Sequence, residues 1–248
     1  MLDVIYNKYQ PITLQELDKV KLLNRTDTKF LLSIKELEKV LQEVANDYDV
    51  LEIDGKRSND YQTLYYDTAD FDLYYKHHRG FVNRHKLRMR SYLDSNLNFI
   101  EIKHKVKGRT DKKRTTIPSL SEKLDDDHSE FIQNASILIP EDYEPKLYNQ
   151  FTRVTLAHKT AQERVTLDFN LKFEWADKVK SFDQMVIAEI KQERVDRTTP
   201  IMQSLKQNQI RTERISKYCI GCVILYPFLK YNNFKPKLIK INKLHDRS

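Results

Sequence analysis

Between Arg84 and Arg114 the chain reads RHKLRMRSYLDSNLNFIEIKHKVKGRTDKKR, with charged side chains recurring at every second position. A period of two belongs to a β-strand, whose successive side chains point to opposite faces. Lys86, Arg88 and Arg90 then share one face and Leu87 and Met89 the other. In the second half Glu101, Lys103, Lys105 and Lys107 lie opposite Ile100, Ile102 and Val106. A strand face this rich in both Lys/Arg and Glu is either open to water or lines a cavity built for a polyanion. Guanidinium forks grip phosphate oxygens bidentately and ammonium groups add point charge. The chemistry these residues suit is phosphoryl transfer, which needs phosphates held in line and their growing charge neutralised.

The same alternation recurs farther along. Phe151, Arg153 and Thr155 oppose Val154 and Leu156; Arg164, Thr166 and Asp168 oppose Val165, Leu167 and Phe169; Glu189 and Lys191 oppose Val186, Ala188 and Ile190. A sandwich would pair the apolar faces and leave every charged face in water, whereas a barrel wrapped in helices turns the charged faces into its lumen. Segments near 33–46, 121–134, 198–207 and 215–225 carry apolar helical stripes that need a sheet to cover, and they would supply the outer layer. Such a lumen is costly to desolvate unless a highly charged ligand and a metal complete the pairing. The expected fold is therefore α+β, an antiparallel β-barrel with helices packed outside.

The elements that must position these residues follow from the pattern. A short amphipathic helix is predicted over Thr13–Leu23, a strand over Thr28–Leu32, and a helix after Ser33, where Glu36 completes a capping box. Tyr61–Thr68 reads as a strand and Ala69–Lys76 as a helix that stops before Gly80. Asp94-Ser95-Asn96 turns the charged hairpin, Gly108 breaks its second strand, and Lys112–Ile117 begins another. Asp125-Asp126-Asp127 falls on an exposed face of a helix over Ser121–Asn134. Leu147–His158, Glu163–Phe173 and Gln184–Gln192 are strands, Thr198-Thr199-Pro200 opens a helix through Gln207, and the segment Arg214–Tyr218 enters a last apolar helix that ends at Leu225. Residues 226–248 read as a basic, loosely attached C-terminal extension of a single domain spanning 1–248, with its core at about 24–225.

Composition narrows the partners. The 248 residues carry a formal charge of +7 and are 40% hydrophobic, enough for a sizeable core and suited to a phosphate-rich partner. No run approaches the roughly 20 apolar residues of a membrane span, and the N-terminus lacks the pattern of a secretion signal. With only Cys219 and Cys222, no disulfide scaffold is expected, a cytoplasmic location is, and their C-x-x-C spacing reads as helix packing. His77, His78, His85 and His104 are not spaced as a metal set.

Taken in order, RTDTKF at 25–30, YYDT at 65–68, KLRMR at 86–90, EIKHK at 101–105, DKKR at 111–114, FTR at 151–153, ERVTLDFNL at 163–171, AEIK at 188–191 and RISKYCIG at 214–221 form a set. By this set the chain resembles the VTC domain of polyphosphate polymerases, within the triphosphate tunnel metalloenzyme (CYTH-like) superfamily, over about residues 24–225. The resemblance implies an eight-stranded antiparallel tunnel. It implies phosphate contacts from Lys29, Arg88, Arg90, Lys103, Lys112, Arg153, Arg164, Arg214 and Lys217, with Arg88, Arg90, Lys103, Arg164 and Lys217 catalytic. It implies Glu189 as the ligand of Mn²⁺ or Mg²⁺, with Glu101 as its helper. The hydrolase branch's E-x-E-x-K stands here as Arg25-x-Asp27-x-Lys29, which points toward the VTC branch. The implied partners are ATP and inorganic polyphosphate, with no nucleic acid; the implied reaction moves the γ-phosphoryl group of ATP to a growing chain. The alternatives are hydrolysis of a triphosphate or short polyphosphate in the same tunnel, and a binding module without turnover, for which Tyr65, Tyr66, Tyr92 and Phe99 would supply stacking.

Overall fold

The computed structural model describes residues 2–19, 25–106 and 109–245. In chain order its elements are α1 (Leu2–Tyr6), β1 (Gln10–Ile12), α2 (Leu14–Lys19), β2 (Thr26–Ser33), α3 (Ile34–Glu43), β3 (Tyr48–Leu51), β4 (Ser58–Thr68), α4 (Asp72–His78), β5 (Arg84–Tyr92), β6 (Leu97–Val106) and β7 (Arg109–Ile117). Then come α5 (Asp126–Ala135), β8 (Tyr143–His158), β9 (Glu163–Trp175), β10 (Lys178–Phe182), β11 (Met185–Gln192), α6 (Pro200–Gln207), α7 (Lys217–Leu225) and α8 (Lys235–His245). Eight strands form one antiparallel path, β2-β11-β9-β8-β4-β5-β6-β7, the expected number in an α+β fold. Among the described residues β2 and β7 do not pair, so the sheet is curled but not closed by a ladder.

The apolar face of the path is covered as its alternation requires. Phe30, Leu32, Val154, Leu156, Val165, Leu167, Val186, Ala188 and Ile190 pack with Leu37, Val40 and Leu41 of α3 and Ile201 and Leu205 of α6. Leu64, Tyr66, Leu87, Met89, Ile100 and Ile102 pack with Ile132 of α5. At the start of α3, Ser33 Oγ accepts from Glu36 N–H at 3.2 Å and the Glu36 carboxylate accepts from Ser33 N–H at 2.7 Å, completing the predicted box.

The helix over 217–225 is not part of the outer layer. Its residues Tyr218, Cys219, Ile220, Cys222 and Val223 pack with Leu31, Tyr65, Leu147, Phe151, Leu171, Phe173, Met185 and Ile187. Leu31 and Ile187 share their strand faces with Lys29 and Glu189, so α7 sits inside the curl and closes off part of the charged face. A helix apolar all round must be buried on every side, and only the interior offers that. The fit is tight: a Cβ on Gly221 would meet Phe173 Cδ1 at 2.7 Å and Leu147 Cδ2 at 3.0 Å. Asn170, at φ 52°, forms a bulge that shifts the β8–β9 register, turning Leu171 and Phe173 to the inner side.

Other expectations change as well. The basic tail is not loosely attached: Phe234, Ile241 and Leu244 are buried with α7, because they and Leu238 make an apolar stripe that the intervening lysines disguise. The helix predicted over Ser121–Asn134 begins only at Asp126. Asp125 caps it by accepting from His128 N–H at 2.9 Å, while Asp126 and Asp127 complement the N-terminal end of its dipole. Strands β1, β3 and β10 were not predicted; β1 and β3 are short and pair in parallel. Residues 20–23 of the first predicted helix, and Gly108, lie outside the described residues.

Candidate functional site

On the inner face three carboxylates each have two basic partners. Glu101 meets Arg88 at 2.6 Å and also Lys112; Asp168 takes Arg153 through both oxygens, at 2.5 and 2.7 Å, and also Lys217. Glu189 lies 3.3 Å from Lys29 and 2.9 Å from Lys191. Cross-strand register builds these groups, since Arg88 pairs with Glu101, Arg153 with Asp168, and Lys29 with Glu189. Burial works to raise all three carboxylates, yet the neighbouring cations hold each well below the usual carboxylate range. All three are therefore anionic, and every one is outnumbered.

Further cations on this face form no ion pair with a carboxylate among the described residues. Arg90 donates to Thr63 Oγ1 at 3.3 Å, with its guanidinium 5.9 Å from the Tyr61 ring centroid. Lys86 donates to Ser216 Oγ at 2.9 Å, and Lys103 has no ion pair among the described residues. The unbalanced charge is felt locally. Arg88 first, and burial second, hold Lys103 well below the usual lysine range, and burial pushes Lys86 to about 8. Lys217, under Arg153 and Arg90 and 3.7 Å from the Phe151 ring centroid, is pushed to about 7, chiefly by burial; Lys112 falls to about 8 for the same reason.

These groups converge on one space. Lys103, on β6, senses the charges of Glu189 on β11 and Lys29 on β2, although four strands separate β6 from β11 along the path. The inner charges therefore face one another across the curl instead of pointing to separate surfaces. Lys29, Arg88, Arg90, Lys103, Lys112, Arg153 and Lys217 are brought together in this way. Arg164 is engaged elsewhere: its guanidinium donates to the backbone carbonyl of Leu17 at 2.5 Å, holding α2 against the sheet. Arg214 lines a cleft next to Lys29. Lys86 and Lys191 were missed as members of the site, although their place in the alternation beside Arg88 and Glu189 marks them.

As for a metal, the described residues contain no group of three His, Cys, Asp or Glu side chains able to hold one. The donor set fits a hard cation carried on phosphate oxygens and met by a single carboxylate. Of the two expected ligands, Glu189 has 17% of its side chain exposed and Glu101 has 0%. Cys219 and Cys222 are free and buried, and burial pushes both thiols up. No helix of the described residues is long and apolar enough to cross a membrane.

Comparison with known proteins adds a family and a fold. The model of the VTC domain matches residues 24–226. No curated protein matches the sequence. Among solved structures, a candidate adenylyl cyclase from Hippeastrum, described as having a dominant triphosphatase activity, is similar at a TM-score of 0.50 and 13% identity, over 80% of this chain and 96% of that one. A candidate adenylate cyclase from Vibrio parahaemolyticus is similar at a TM-score of 0.47 and 16% identity, over 79% of this chain and 95% of that one.

Proposed function

The chain belongs to the VTC domain family, matched over residues 24–226, and from that premise we propose that it is a polyphosphate polymerase. It transfers the γ-phosphoryl group of ATP to the end of an inorganic polyphosphate chain and releases ADP. The observation that supports this most is the unbalanced inner face, where Glu101, Asp168 and Glu189 each meet two cations while Arg90, Lys103 and Lys86 form no ion pair with a carboxylate among the described residues. Such a surface holds a linear row of phosphates and repels nothing but another cation.

In the transfer, a terminal phosphate oxygen of the chain forms a bond to Pγ as the bond from Pγ to the β,γ-bridging oxygen breaks. The electron pair of that bond leaves with ADP. Arg88, Arg90 and Arg153 present forked donors to equatorial phosphate oxygens, and Lys103 and Lys217 neutralise charge as it moves to the leaving oxygen. The rings of Tyr61 and Phe151, stacked with centroids 5.1 Å apart, lie beside the Arg90 and Arg153 guanidinium groups and help to hold them in place. Glu189, the more accessible carboxylate, would hold Mg²⁺ or Mn²⁺, which would supply further neutralisation of phosphate charge.

The purified protein incubated with ATP and Mg²⁺ or Mn²⁺, with products resolved by length, tests the proposal. Long phosphate chains are expected. Free phosphate as the only product would replace the polymerase with a hydrolase, and bound polyphosphate without ATP turnover would leave a binding module.

A further inference from the structure

A cleft of about 530 Å³ opens beside the inner face, and its lining includes Asp27, Lys29, Arg197, Glu213, Arg214 and Lys237. Lys29 belongs to both spaces, and Arg214 also acts on Lys105, which lies on the inner face of β6. The cleft therefore continues the charged face past Lys29, on the side away from α7. Its two carboxylates are already matched, Asp27 by Arg25 at 3.1 Å and Glu213 by Lys240 at 3.3 Å. Arg197 and Arg214 are exposed and, like Lys237, have no carboxylate partner among the described residues. Lys237 comes from α8, beyond the last residue matched by the family model.

We infer that this cleft is a distal subsite for the phosphates of a polyphosphate chain that extend beyond those held by the inner cations. This rests on the proposed function and goes further, since it assigns a chain-length preference to Arg197 and Lys237. A ligand of three phosphates would fill the inner face without reaching them. A longer chain would be gripped at both places, and each phosphate neutralised there adds to the salt dependence of binding.

The test compares tripolyphosphate with long-chain polyphosphate, by calorimetry across a salt series, on the full chain. The variants are Arg197→Glu, Arg197→Glu/Lys237→Glu, and, as a control with the same charge change on an exposed face of α3, Lys35→Glu/Lys39→Glu. Wild type is expected to bind the long chain more tightly. The double variant is expected to lose about tenfold of that affinity, with a salt slope lower by about two, while tripolyphosphate binding stays unchanged. Arg197→Glu alone, at an exposed position, is expected to show part of the same loss. The inference is overturned if wild type binds both ligands alike, if the variant retains the long-chain preference, or if the control loses as much. It is also overturned if single-stranded DNA competes for the cleft as well as polyphosphate does. Failure of wild type to bind either ligand would sink the proposed function itself, whereas intact synthesis with no length preference would sink only the cleft.

Discussion

Arg153 and Asp168 face each other in register across β8 and β9 and join through two parallel contacts, with Lys217 on the same carboxylate. Asp168 is buried and Arg153 half-buried, so the carboxylate is what permits two cations to share this space. Asp168→Asn should cost about 3–5 kcal/mol of stability, and saturating tripolyphosphate should restore part of it by binding the folded state alone. Thermal melts with and without the anion check this; an unchanged melting point would show that the cations are not confined as described.

Arg88 and Arg90 lie two residues apart on one face but differ in what holds them. Arg88→Ala strands the fully enclosed Glu101 with only Lys112, so it should lose both phosphate binding and about 3–5 kcal/mol of stability. Arg90→Ala removes a cation that forms no ion pair among the described residues. It should weaken phosphate binding at least as much while leaving the ligand-free protein as stable as wild type or more so. Equal destabilisation by the two variants would contradict the pairing.

Lys217 is held at about 7 and Lys86 and Lys112 at about 8, all below the unfolded lysine value of about 10.4. Between the folded and unfolded values the unfolded chain binds more protons, so ligand-free stability should rise as pH climbs from 7 toward 10. Anion binding should run the other way. It needs the ammonium form, so affinity should fall over the same range, with proton uptake on binding. Lys217→Arg, which keeps its charge throughout, should flatten part of that fall in a pH series of tripolyphosphate titrations; an unchanged profile would remove Lys217 as its source.

At Gly221 α7 packs tightly against β8 and β9. Gly221→Val should push the helix from Phe173 and Leu147, costing about 1–3 kcal/mol, and shift Lys217 at its first turn enough to weaken phosphate binding. Gly55→Ala, at φ 77° in open space, should cost only its backbone strain, about 1 kcal/mol. Denaturant midpoints for the two variants make the comparison.

The strands and the charged face could be read from the sequence because the residues that line the interior alternate with the apolar ones that meet α3, α5 and α6. Their convergence could not be read so directly, since alternation gives a face but not its curvature. The position of α7 was hidden for a related reason: KYCIGCVIL states that the helix is buried without stating on which side. The bulge at Asn170 breaks the even count along β9, so Leu171 and Phe173 fall on the opposite face from the one counted from Asp168. Arg164 lies at the expected parity, but the carbonyl that takes its guanidinium comes from Leu17, a partner no local pattern could name.

Helix α7 gives the cavity a floor. Under the proposed function, a linear polymer entering it travels until its leading phosphate stops against Lys217 and the positive end of that helix, and the remainder trails toward the opening. The reacting position is then fixed by depth, as a peg is by the bottom of its hole, and each unit added at the base displaces the older ones outward.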